Sequence, residues 1–195
     1  MYQDLQHFKD EFLNAYHNIN DFPRPHTRTV KEFHASACWD IYIKTRDNAL
    51  FPFQLIGRLG NLGPTEAANF YTASVSSRLP EAGAILTSPI WSTSLNDSWV
   101  LAGIHRGVPF HVASPLTHDN LFRDDEFKIT VTGREILLII SHYYTKTRTR
   151  HGTAESVFSC PDILRHRASQ VTFASFQHTL QRLNTNPLRQ IVEQA

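Results

Sequence analysis

No apolar run in this chain exceeds the five residues Ile136–Ile140. A helix that crosses a bilayer needs about 20 apolar residues in a row, so no membrane span is expected. The apolar groups must instead be gathered from many short amphipathic segments. With 195 residues, 41% of them hydrophobic, and 13 Phe, the chain suffices for one globular domain with a sizeable core. No linker marks a join between two domains. The 19 basic and 18 acidic residues leave a net charge of +1. A dedicated nucleic-acid binder concentrates Lys and Arg to release counterions, so nucleic acid is not an expected partner. Cys38 and Cys160 read as free thiols, because a chain of this size does not need a disulfide. Met1–Lys9 carries no apolar run of signal-peptide type, which makes the cytoplasm the default expectation and leaves signal-independent export open.

Leu5, Phe8, Phe12, Tyr16 and Ile19 recur at spacings of three and four, which predicts an amphipathic helix over residues 4–19. Pro23 and Pro25 stop it and leave residues 20–29 as a loop or short extended arm. Trp39, Ile41 and Ile43 alternate with Asp40, Tyr42 and Lys44, which predicts a strand over 38–45, closed by a turn at Asp47-Asn48. A second short strand is expected within 51–56, a helix from Pro64 to about Arg78, and another strand over 84–87.

A helix is predicted from Ser94 or Asn96 to His105, with Leu95, Trp99, Ala102 and Gly103 along one face and Gly107 closing it. Val108–Ala113 reads as a strand in which Pro109 favours an edge or first position, followed by a polar loop over 114–125. Phe127–Val131 reads as a strand leading into Thr132-Gly133-Arg134-Glu135, which has the form of a capping box: Thr132 caps the helix start and Glu135 reaches back to the Thr132 amide. Ile136–Ile140 then fits either a buried helix or a core strand. Residues 145–151 are basic and read as an exposed hairpin strand or loop, with a phosphate-contacting loop as the functional alternative. Residues 161–193 read as helical, interrupted over 184–187.

Chemistry-bearing patterns are sparse. Cys38 follows His34 by four residues, but a strand after Cys38 parts their side chains, and Cys38 reads as structural. His151, Glu155 and Cys160 carry ligand-type atoms, yet a zinc deaminase needs two closely spaced thiolates. Neither His-Glu-x-x-His nor Cys-x-x-Cys occurs, so no metal is expected. Gly57, Gly60 and Gly63 have the wrong offsets for a dinucleotide fingerprint and read as turn glycines, with the lining of a ligand cleft as the functional alternative. The densest cluster runs from Trp91 to Trp99 and encloses Ser92, Thr93, Ser94, Asn96 and Asp97. It reads either as tryptophans anchoring a helix in the core or as a ring beside a polar pocket with Asn96 and Asp97 as hydrogen-bonding groups.

One ordered set resembles the ADP-ribosyltransferase toxin family, whose members often carry an arginine on an early strand, then Ser-Thr-Ser, then a catalytic glutamate opening a short apolar strand. Here Arg46 follows the first predicted strand, Ser92-Thr93-Ser94 comes next, and Glu135 precedes Ile136-Leu137-Leu138. Arg58 is an alternative to Arg46. Gly133 stands where many arginine- or protein-modifying relatives have an acidic or amide residue. The resemblance implies NAD as the bound dinucleotide and ADP-ribosyl transfer or NAD hydrolysis as the activity. It implies that Arg46 pairs with the phosphates, that Ser92 and Thr93 brace the site, and that Trp91 stacks on nicotinamide. Glu135 would hold the ribose hydroxyl and stabilise the cation left when nicotinamide departs.

The expected fold is therefore α+β, a small, mostly antiparallel sheet packed against several helices. A regular βαβ alternation is not evident. Beside the NAD enzyme stand two plainer expectations: a non-catalytic domain that binds a protein partner, and a different small hydrolase or transferase. The enzyme reading requires Arg46, Ser92 and Glu135 to converge on one cleft. The binding-domain reading requires an exposed aromatic patch.

Overall fold

The computed structural model describes residues 5–17, 28–47, 53–57, 93–112, 114–123, 129–149, 156–182 and 184–194. The helix expected over 64–78, the strand over 84–87, and Trp91, Ser92 and Arg58 lie outside them. In chain order the elements are α1 (Leu5–His17), α2 (Arg28–Arg46), β1 (Gln54–Ile56), α3 (Thr93–Arg106), β2 (Phe110–Val112), α4 (His118–Leu121), α5 (Val131–Ile140), β3 (Thr145–Thr149), β4 (Ser156–Ser159), α6 (Asp162–Ala168), α7 (Phe173–Gln181) and α8 (Asn186–Glu193).

The fold is α+β. A four-stranded sheet has the order β1-β2-β4-β3. β1 and β2 are parallel, in register Gln54 with Phe110, while β2–β4 and β4–β3 are antiparallel. β2 is thus an inner strand, against the edge position that Pro109 suggested. The proline precedes the first paired residue, so the ladder loses no donor, and its carbonyl accepts from Gln54 N at 2.9 Å.

The segment expected as a strand over 38–45 is part of the helix α2. Ala35, Cys38, Trp39 and Tyr42 are buried at helical spacing, and the alternation of Trp39, Ile41 and Ile43 was a subset of that wider apolar face. Phe8 and Phe12 of α1 are fully buried against it, with ring centroids of Phe8–Tyr42 and Phe12–Trp39 at 5.2 and 5.4 Å.

α3 is the central element. It was expected to bury one face, but residues 96–104 are buried on every side. Gly103 lets β1 and β2 approach it: a methyl there would collide with the Gln54 side-chain oxygen and lie 2.6 Å from Phe110 Cζ. Gln54 Nε2 donates to Trp99 O at 2.9 Å, and Tyr144 OH donates to Val108 O at 3.0 Å.

Ile136–Ile140 resolves as helix, in α5. Its cap is Thr130, two residues before the expected Thr132: Gly133 N donates to Thr130 Oγ1 at 3.0 Å. Of the strand expected at 127–131, the described part is a single bridge, Ile129 with Phe122, and Val131 is already helical. The polar loop after β2 contains the short helix α4, whose last carbonyl, Leu121 O, accepts from Thr130 N at 3.0 Å. Residues 161–193 divide into α6, α7 and α8. Cys38 and Cys160 are buried and form no disulfide. Among the described residues no helix is long and apolar enough to cross a membrane.

Candidate functional site

Two parallel strands that end side by side put their outgoing chain at a common rim, where open sheets place ligand-handling groups. β1 leaves through Gly57, and β2 is followed by the buried Ser114. Gly57 has φ +91°, and a Cβ there would lie 2.8 Å from Ser114 Oγ, so conformation and space both demand glycine.

One side chain meets Gly57 from a helix, and three more polar groups accompany it on α3 and α5. Glu135, in the second turn of α5, accepts a hydrogen bond from Gly57 N at 3.2 Å on Oε2. Beside it in sequence, Arg134 forms a two-pronged ion pair with Asp97 of α3, Nε to Oδ1 at 2.9 Å and Nη2 to Oδ2 at 2.7 Å. Asp97 is almost wholly enclosed, at 3% side-chain exposure against 22% for Arg134. Asn96, one residue before Asp97, is buried too, and its Nδ2 has no partner in hydrogen-bond geometry.

Burial drives the Glu135 carboxyl up to about 7. The Asn96 amide opposes the rise by its proximity, though Nδ2 stops short of a formed bond, and the Gly57 N–H opposes it directly. The charge on Asp97 pushes the same way as burial. A carboxyl held near neutrality among donors and a second acid both gives and takes a proton near pH 7, the property that acid–base chemistry requires.

Arg46 is elsewhere. It ends α2, binds Asp47 Oδ1 through Nε at 2.7 Å, and stands over the Tyr42 ring at 5.7 Å. Tyr42 OH donates to His105 Nδ1 at 2.6 Å, while His105 Nε2 donates to Val171 O at 2.8 Å. Burial lowers the His105 pKa to about 4 against the Val171 bond, and in the neutral ring these contacts place the proton on Nε2. His105 lies nine residues beyond Asn96 on α3, about 13 Å at 1.5 Å per residue. Arg46 and Glu135 therefore belong to opposite ends of a buried helix. Thr93 opens α3 at the Glu135 end, one turn before Asn96 and Asp97 and on their side of the helix. Trp91 and Ser92 lie outside the described residues.

Of the groups named from sequence, the structure thus gathers Glu135, Asn96 and Asp97, with Thr93 at the same helix end, and separates Arg46 from them. Gly57 had been read first as a turn glycine, with the lining of a ligand cleft as the alternative, and Arg134 as part of a cap. Ser114 had no signal beyond polarity. Among the described residues no three His, Cys, Asp or Glu side chains gather to hold a metal ion. Compared with protein-family models, with curated proteins and with solved structures, the chain matches none.

Proposed function

We propose that this chain is an enzyme whose working group is Glu135, and that it cleaves the nicotinamide–ribose bond of NAD. One observation carries the reading: a buried carboxyl poised near neutrality where β1, α3 and α5 meet. NAD itself enters through the resemblance of Ser92–Ser94 and Glu135 to the ADP-ribosyltransferase toxins. In the proposed reaction the bond from ribose C1′ to the ring nitrogen breaks, and its electron pair leaves with nicotinamide. Glu135, ionised, accepts a hydrogen bond from the ribose hydroxyl and faces the developing cation. A nucleophile then adds to C1′ and gives up its proton.

The acceptor favoured here is water. Relatives that modify arginine or protein often carry an acid or amide two residues before the glutamate. Any side chain at Gly133 would run into the Leu121 carbonyl oxygen. Arg46, at the far end of α3, has no part in the bond-breaking group. Glu135 also sits on a helix, where the toxin family has a strand, so the proposal borrows the chemistry and not that family's fold.

A second reading draws on the 4% exposure of Glu135: the carboxyl only ties the end of β1 to α5. Nicotinamide release from NAD by the purified chain, beside Glu135→Gln, separates the two. Loss of release by about a hundredfold or more in a folded variant supports the enzyme. No release from the folded wild type, or equal release from both, sinks it. An exposed aromatic patch, the mark of the binding-domain reading, does not emerge among the described residues. The large exposed hydrophobics there are Tyr143 and Ile163, 20 residues apart in the chain and only one of them aromatic.

A further inference from the structure

The Asp97–Arg134 ion pair brings Asn96 of α3 to the Glu135 carboxyl, where its amide acts on the carboxyl beside the Gly57 N–H, and only the latter makes a fully formed hydrogen bond. Gly57 N–H reaches Oε2, while the buried Asn96 Nδ2 has no partner. Glu135 makes its described hydrogen bond through one oxygen only. An amide donor buried without an acceptor is costly, and a neighbouring carboxylate is the strongest acceptor a protein offers. We infer that Asn96 is the positioning residue of this site: its amide closes on Glu135 when the carboxyl ionises, so that the charged form is held between Asn96 and Gly57. The bearing of this bond on catalysis rests on the NAD reading, whereas the bond itself does not.

The other charged groups at the carboxyl are few among the described residues. From α3 comes Asp97, which disfavours the charge on Glu135, and from α5 comes Arg134, whose guanidinium is committed to Asp97 through both oxygens. β1 supplies only the Gly57 N–H. With Arg134 engaged elsewhere, the uncommitted donor left to meet a second carboxylate oxygen is Asn96.

The test is a pH titration of the whole chain followed by nuclear magnetic resonance, reading the Glu135 side-chain carboxyl carbon and the Asn96 side-chain NH2. Asn96→Leu, similar in volume and without a donor, assigns the NH2 signal by its disappearance. The Asn96 protons should move downfield with the same midpoint as Glu135. Asn96→Leu should raise that midpoint by about one pH unit, since a donor to the charged form is lost. An NH2 signal that stays still while Glu135 titrates overturns the inference, as does an unshifted midpoint in a folded Asn96→Leu. Should that variant not fold, the wild-type NH2 signal, assigned through its bonds to the Asn96 backbone, decides alone. Co-titration without any nicotinamide release supports the hydrogen bond and removes the NAD reading.

Discussion

A buried carboxyl and a buried imidazole make stability depend on pH in opposite directions. Glu135 rises from 4.5 to about 7 on folding, so the folded chain holds this proton more tightly than the unfolded one. Its contribution is complete below pH 4.5 and disappears as pH rises through 7, a span worth up to about 3 kcal/mol. Glu135→Gln keeps the volume and removes the titration. Relative to wild type it should therefore gain stability between pH 5 and pH 8, by about 1–3 kcal/mol in urea unfolding at the two values. An equal difference at both would remove Glu135 from its place as the titrating group. His105 works the other way. Its pKa falls from 6.5 to about 4, so its stabilisation is present above 6.5 and is lost as pH falls toward 4. His105→Phe should cost stability at pH 8, where the Tyr42 and Val171 bonds are lost, and less at pH 4.5. A cost that grows on acidification would contradict the neutral tautomer.

Caps and close approaches decide matters at the scale of the element. Gly133 N donates to Thr130 Oγ1, and the glycine abuts the Leu121 carbonyl where α4 meets α5. Gly133→Ala should cost at least about 2 kcal/mol by forcing the helices apart, although alanine is the better helix former. Thr130→Ala should cost about 1 kcal/mol. Thr132→Ala should leave the cap intact, and urea midpoints of the three variants would rank them. The same segment shows what a sequence can and cannot disclose. Thr130 and Thr132 are both residues favoured at an N-cap and only Thr132 is followed by a capping-box glutamate, yet Glu135 turns inward to Gly57 and Thr130 makes the cap. α1 and α3 were legible because their apolar periods agree with their termini. α2 was misread because Trp39, Ile41 and Ile43 fit a strand until Ala35 and Cys38 join the pattern. Glu135 could be singled out, but its partners Gly57, Asn96 and Asp97 lie 78, 39 and 38 residues away along the chain. No local spacing encodes that meeting, since parallel pairing of β1 with β2 and the packing of α3 on α5 create it.

At the scale of the whole molecule, α3 is the beam on which the sheet, α2 and α5 all rest, and its seam with the sheet is set by one missing methyl. Gly103 faces Gln54 and Phe110, the first residues of the paired strands β1 and β2. Gly103→Ala should lift both strands from the helix and destabilise the chain by at least about 2 kcal/mol, despite its favourable helix propensity. The displacement should also reach the candidate site, because Gly57 lies one residue beyond β1 and its N–H holds Glu135. Amide exchange at Gly57 should therefore quicken in Gly103→Ala by more than global destabilisation explains. Gln54→Ala opens room on one side and gives up the bond to Trp99 O. The double variant should thus be more stable than the two single losses added together, by about 1 kcal/mol. Rescue remains incomplete because Phe110 Cζ still presses on the new methyl at 2.6 Å. Strict additivity in urea unfolding would mean that Gln54 can swing clear at no cost, and that the sheet is held on α3 by something other than this contact.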